Sequence, residues 1–144
     1  MLVLDSSIYA SIIVKDEFYE ACKELVRQRS ATLDLSFAES ANVIWKHIYQ
    51  LKRIPSEEAD MRAEMLVKLI KYSKIYPSSD FLPEATTIAV KYGITVYDSL
   101  FITLAKTLDV KFATTDEKLR KGLGKTELRN FFFDCSSCAG PRCG

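Results

Sequence analysis

The chain reads as a single α/β domain, a three-layer α/β/α arrangement around a central, mostly parallel sheet of about five strands. Three observations carry that reading. Short, largely apolar runs at 2–4, 31–36 and 110–114 have the length and composition of strands buried on both faces. Longer stretches between them place apolar residues at helical spacing. Four carboxylates, Asp5, Glu39, Asp98 and Asp116, fall at or just after the ends of apolar runs. Strand ends on the carboxyl side of an open parallel sheet meet at one crevice.

The elements follow in order. Residues 1–5 form a short first strand, and 16–29 a helix with Phe18, Cys22, Leu25 and Val26 on one face. Residues 31–36 are the second strand. A helix over 36–51 carries the stripe Ala38, Ala41, Ile44, Trp45, Ile48 and Leu51. Pro55-Ser56 restarts the chain in a helix that runs to about Tyr72, with Glu57 and Glu58 at its positive end. Residues 76–80 are a loop by composition. A helix over 83–92 stops at Gly93, which suits a left-handed cap. Residues 94–97 are a short strand or extended turn, 98–108 an amphipathic helix, and 110–114 a strand. A short helix over 116–121 and a last strand over 130–134 complete the domain. The domain spans 1–134, and 135–144 is a Cys-containing tail.

Composition sets limits. At 144 residues, 48% hydrophobic and 27% charged, the chain has enough apolar material for one real core. No apolar stretch approaches the ~20 residues of a membrane span. No secretory pattern opens the sequence, so a cytoplasmic protein is expected. The net charge of +1 does not mark a strongly basic nucleic-acid-binding domain. Amides are scarce, with only Asn42, Asn130, Gln28 and Gln50, which leans toward a heat-adapted source.

Each acid alone reads readily as something ordinary. Asp98 and Asp116 suit helix caps, and Glu39 suits a solvated first turn. Asp5 is harder to dismiss, because an unpaired carboxylate at the end of a buried central strand costs several kcal/mol. Together the acids would repel unless a divalent cation compensates them. An all-oxygen set favours Mg²⁺ or Mn²⁺. Such a site activates a water for attack on a phosphodiester. Ser6 and Thr114 stand beside Asp5 and Asp116, where their hydroxyls serve either the site or simple turn chemistry.

Four motifs in order bring a family into view: Val3-Leu4-Asp5-Ser6-Ser7, Phe37-Ala38-Glu39, Tyr97-Asp98-Ser99-Leu100-Phe101, and Thr114-Thr115-Asp116-Glu117-Lys118-Leu119. Over residues 1–134 the chain resembles a PIN domain, and more narrowly the VapC-type toxins of toxin–antitoxin pairs. That resemblance implies an acidic metal pocket of Asp5, Glu39, Asp98 and Asp116, supported by Ser6 and Thr114. It implies a Mg²⁺- or Mn²⁺-dependent endoribonuclease acting on RNA, a cognate antitoxin as partner, and a homodimer. The alternatives are a non-catalytic RNA-binding or assembly module on the same fold, and a housekeeping RNA-processing nuclease.

Lys118, Arg120 and Lys121 follow Asp116 closely and are candidates for RNA phosphates, as against an ordinary solvated surface. Met61, Met65, Leu66, Leu69, Ile70 and Tyr72 form an apolar helix face that serves either a dimer or the core. Gly124-Lys125-Thr126 imitates a phosphate loop but lacks its first Gly and precedes a strand. His47, the sole histidine, has no nucleophile elbow to serve. Cys135, Cys138 and Cys143 leave three readings open: free thiols, a disulfide or a metal site.

Overall fold

A computed structural model describes residues 1–133. Four parallel strands form the sheet: β1 (Leu2–Leu4), β2 (Ser30–Leu33), β3 (Lys74–Tyr76) and β4 (Lys111–Ala113), in the spatial order β3-β2-β1-β4. Val3 lies opposite Ala31 on one side and Phe112 on the other, so β1 is flanked on both edges. Parallel neighbours require crossovers, and the helices supply them. These are α1 (Ser6–Val14) and α2 (Tyr19–Arg27), α3 (Leu35–Trp45) and α4 (Ala59–Ile70), then α5 (Leu82–Tyr92) and α6 (Val96–Leu108). A short α7 (Glu117–Leu123) follows β4.

Side-chain alternation along the strands makes two cores. Val3, Ala31, Leu33 and Phe112 face Leu100, Phe101 and Leu104 of α6. Leu2 and Leu4 face the other way, into Ile8, Tyr9, Leu25, Ile44 and Ile70 of α1 to α4. The result is the expected three-layer architecture. Thr32 is a polar exception, fully buried, and its hydroxyl bonds to the Leu4 carbonyl at 2.7 Å, so no donor is stranded.

Several boundaries differ from the sequence expectation. The sheet has four strands among the described residues, not about five. Residues 94–97 are not a strand: Gly93 closes α5 in the left-handed region at φ +67°, and Thr95 caps α6 directly. The expected last strand is replaced by a 3-10 turn, Glu127–Phe131, and only Phe132 bridges to Phe112. β3 falls where local composition predicts a passage from helix to loop; its register against β2 makes it a strand. α1 is a helix that apolar periodicity does not predict. Its run of apolar residues packs against β1, α2, α3 and α4, so it lacks the polar face that would mark it.

α3 does not stop at Trp45. It widens into a π-helical turn, Lys46–Gln50, in which Leu51 N–H bonds to the Lys46 carbonyl at 2.9 Å. The apolar face of α4 is divided: Leu66 and Ile70 are core, while Met61, Met65 and Tyr72 are exposed. No single described helix is long and apolar enough to cross a membrane. Cys135, Cys138 and Cys143 lie outside the described residues.

Candidate metal centre at the carboxyl edge of the sheet

The chain runs from β1 outward to β2 and β3, then returns to place β4 on the other flank of β1. Strand order therefore reverses beside β1, and its carboxyl end opens at the switch point where α/β sheets bind ligands. Asp5 leaves that end and is only 6% exposed. Its carboxylate caps α1, accepting the Ser7 N–H at 3.0 Å and the Ser7 hydroxyl as well. Ser7 also ties in β4, since its oxygen accepts the Thr115 N–H at 3.0 Å and lies 3.5 Å from the Thr114 hydroxyl. Ser7 is a site residue that motif reading does not single out. Its signal is the pair Ser6-Ser7 directly after the strand, in which either hydroxyl can turn back on Asp5.

The other three acids arrive on separate elements. Glu39 rides the first turns of α3, half-buried, and Oε1 accepts the Ser6 hydroxyl at 2.9 Å. Ser40 next to it bonds to the Ser6 carbonyl at 2.9 Å, which ties α3 to the start of α1. Asp98 lies in the first turn of α6, and the cap is Thr95, whose hydroxyl oxygen accepts the Asp98 N–H at 3.1 Å. Asp116 does cap a helix: its carboxylate accepts the Leu119 N–H at 3.0 Å. Thr114, buried, accepts the Asp116 N–H at 3.1 Å and so fixes the turn out of β4.

Electrostatics link the set. Burial pushes the Asp5 carboxyl up to about 7, opposed by hydrogen bonds from Ser7 and Thr114 and reinforced by the charge of Asp98. Burial also raises Glu39, the Ser6 hydroxyl bond lowers it in part, and Asp98 raises it further. Asp98 is raised by burial and by Asp116, against the Thr95 bond. Asp98 thus feels or acts on all three other acids. Among the described residues, no ion pair engages any of the four. Repulsion among these acids is answered by no paired cation among the described residues.

That is the electrostatic demand a divalent cation meets, and the donors are all oxygens, as Mg²⁺ and Mn²⁺ require. Among the described residues no three acids stand close enough together to make a ready cation cage. Asp5, Glu39 and Asp116 each accept a hydrogen bond from a nearby hydroxyl or amide. By charge and donor chemistry the residues fit the ion, with side-chain rotation needed to close on it.

An open cleft of about 570 Å³ adjoins the centre, with Thr95, Asp98, Asp116 and Lys118 in its wall. Of the three basic candidates for RNA phosphates, only Lys118 lines this cleft. Arg120 is engaged within the protein, donating to the Thr114 carbonyl at 3.0 Å and pairing with Glu117 at 3.2 Å. Lys121 is exposed and outside the cleft wall. His47 sits in the π-turn, with its pKa lowered by partial burial and by Arg53.

A model of the PIN domain matches residues 2–122. The chain is 34% identical over 120 residues to Ribonuclease VapC3 of Pyrobaculum aerophilum, covering 82% of this chain and 91% of that protein. Among solved structures, PAE2754 of Pyrobaculum aerophilum superposes with a TM-score of 0.64 at 22% identity, over 84% of this chain and 78% of the other. A toxin–antitoxin complex from Klebsiella pneumoniae gives a TM-score of 0.64 at 11% identity, over 89% and 94% of the two chains. These two likenesses concern the fold. The match over most of the chain and the identity to the curated relative establish the membership: this chain belongs to the PIN domain family.

Proposed function

We propose that the chain is a metal-dependent endoribonuclease that hydrolyses RNA phosphodiester bonds and acts as the toxin of a type II toxin–antitoxin pair. The observation that carries the reading is the acid cluster at the switch point, where Asp98 interacts electrostatically with Asp5, Glu39 and Asp116 and no ion pair among the described residues answers them. The similarity to a relative named as a VapC ribonuclease supports RNA as substrate and an antitoxin as partner. Mg²⁺ or Mn²⁺ is the cofactor proposed, a homodimer the assembly, and the cytoplasm the compartment.

Asp5, Glu39, Asp98 and Asp116 hold the ion in this reading. When bound, the cation offsets the charge of the phosphate and makes an attacking water more acidic. Ser6 holds the Glu39 carboxylate against the start of α1 by its 2.9 Å bond. Ser7 and Thr114 keep β1 and β4 in register around Asp5. Lys118 in the cleft wall supplies a positive charge for a phosphate oxygen.

The test is Asp98→Asn, which removes the shared charge and leaves the Thr95 cap intact, since the backbone N–H makes that bond. RNA cleavage is expected to fall by at least ~100-fold, as for loss of a group that acts in the transition state, with the melting temperature close to that of the wild type. Full cleavage by the variant, or wild-type cleavage that survives EDTA, overturns the metal-dependent mechanism. Metal binding without turnover on any RNA selects the non-catalytic module instead.

A further inference from the structure

One surface of α3 has no part in the centre described above. Trp45 and Tyr49 stack at the end of the helix, with ring centroids 5.5 Å apart and planes 13° from parallel. They are 46% and 64% exposed, and Leu51 beside them is exposed as well. Isolated exposed aromatics are ordinary, but a pre-stacked pair on an apolar patch marks a contact surface. The π-turn at Lys46–Gln50 lies directly across this site. Such widened turns are uncommon and recur at functional positions.

Along the chain the patch itself is basic, with Asp16 near His47 and Glu57 and Glu58 just beyond it. Residues 40–56 contain Lys46, Lys52 and Arg53 and no Asp or Glu. All three cations are exposed, and among the described residues none makes an ion pair. Lys52 Nζ lies 4.8 Å from the Tyr49 ring centroid, which extends the stack with a cation. Lys52 and Arg53 also border a groove of about 430 Å³ with Tyr49 and Pro55. Lys52 reaches this place through a left-handed backbone, φ +55°.

Helix geometry connects the patch to the acids. Lys46 follows Glu39 by seven residues, which places it on the same face of α3 and about 10 Å farther along the axis. Trp45 and Tyr49, four residues apart, both lie to one side of that line, roughly a quarter-turn around the helix.

From the aromatic stack, the three exposed cations without ion pairs beside it and the line from Glu39 to Lys46, we infer that the Trp45–Tyr49 stack with Lys46, Lys52 and Arg53 is a binding platform for single-stranded RNA. Bases stack on the aromatic pair while the three cations follow the phosphates toward the acidic centre. A protein partner would be expected to meet such a face with acids; a polyanion with flat bases meets both its charge and its shape. The inference rests on the proposed RNA cleavage for its direction, but its binding test does not.

Trp45 is the only tryptophan, so its fluorescence reports this surface directly. The full chain carrying Asp98→Asn is titrated with a short oligouridylate, and with the same strand annealed to oligoadenylate. Quenching of Trp45 by the single strand is expected, weakened by salt, with little response to the duplex. Tyr49→Ala should reduce single-strand affinity roughly tenfold, and Trp45→Ala, read by fluorescence anisotropy of labelled RNA, by a similar factor. Trp45→Phe should restore most of it. Hydrolysis of bis(p-nitrophenyl) phosphate, too small to span from the acids to the platform, should be unchanged in Trp45→Ala with Asp98 intact. Oligouridylate binding that leaves Trp45 emission and both alanine variants unaffected overturns the inference. So does Trp45 emission that follows dimer formation in sedimentation and ignores RNA, since the face is then an interface between copies. Quenching without any phosphodiester hydrolysis keeps the platform and removes the nuclease reading.

Discussion

Replacing Asp5 with Asn removes a charge the fold holds at a cost. The Asp5 carboxyl is pushed from 3.8 up to about 7, with burial as the main cause and Asp98 adding repulsion. A raised carboxyl pKa favours folding fully only below the unfolded value, and the benefit is lost as pH rises through the folded value. Ionised Asp5 therefore weighs on the metal-free fold at pH 8. A difference of about 3 pH units corresponds to roughly 4 kcal/mol as an upper value. The amide of Asn keeps an oxygen for the Ser7 N–H and hydroxyl, so the cap survives. In EDTA at pH 8, Asp5→Asn should be more stable than wild type by about 2–4 kcal/mol. At about 2–4 °C per kcal/mol that raises the melting temperature by roughly 5–15 °C. Near pH 4 the two proteins should converge. Adding Mg²⁺ should stabilise the wild type and leave the variant unchanged, closing the gap, while only the wild type cleaves RNA. Thermal melts at three pH values, with and without Mg²⁺, supply the readout. A variant that is less stable at pH 8, or a difference that does not change with pH, refutes the account of Asp5 as a buried charge awaiting a cation.

Asp116 allows cap and site to be separated. Asp116→Ala should lose both RNA cleavage and about 1 kcal/mol of stability, because the Leu119 N–H loses its partner. Asp116→Asn should lose cleavage alone, and urea denaturation distinguishes the two. The buried chain Tyr9–Ser73–Ser30, with oxygens 2.6 and 2.7 Å apart, joins α1, the end of α4 and β2. Tyr9→Phe should cost roughly 1–2 kcal/mol in urea denaturation without changing the metal requirement of cleavage. A neutral result there would mean the hydroxyl network contributes nothing net.

The first strand, the helix stop at Gly93 and the long α6 are legible in the residue order alone, because a left-handed cap and a 3.6-residue stripe are written in neighbouring residues. Other features are not. β3 is three residues beside Pro77, and pairing with Thr32 and Leu33 is what extends it. α1 is apolar nearly all round because it is packed from several sides, so its period carries no signal. Residues 94–97 and 130–134 look β-prone, yet Thr95 caps a helix and Phe132 finds only one bridge partner. Propensity over a few residues yields to capping and to the supply of strand partners.

The acids divide in the same manner. Sequence by itself determined which carboxylates the chain possesses, their order, and the family whose motifs they complete, because these depend on identity and spacing alone. Only the tertiary structure decided that Asp5 is both cap and buried charge, that Ser6 serves Glu39 while Ser7 serves Asp5, and that Arg120 is spent on Thr114 while Lys118 reaches the cleft. Those outcomes depend on contacts between elements far apart in the chain. Burial and through-space charge, which set the pKa of Asp5, exist only once β1 has been enclosed by β2, β4 and the helices of both layers.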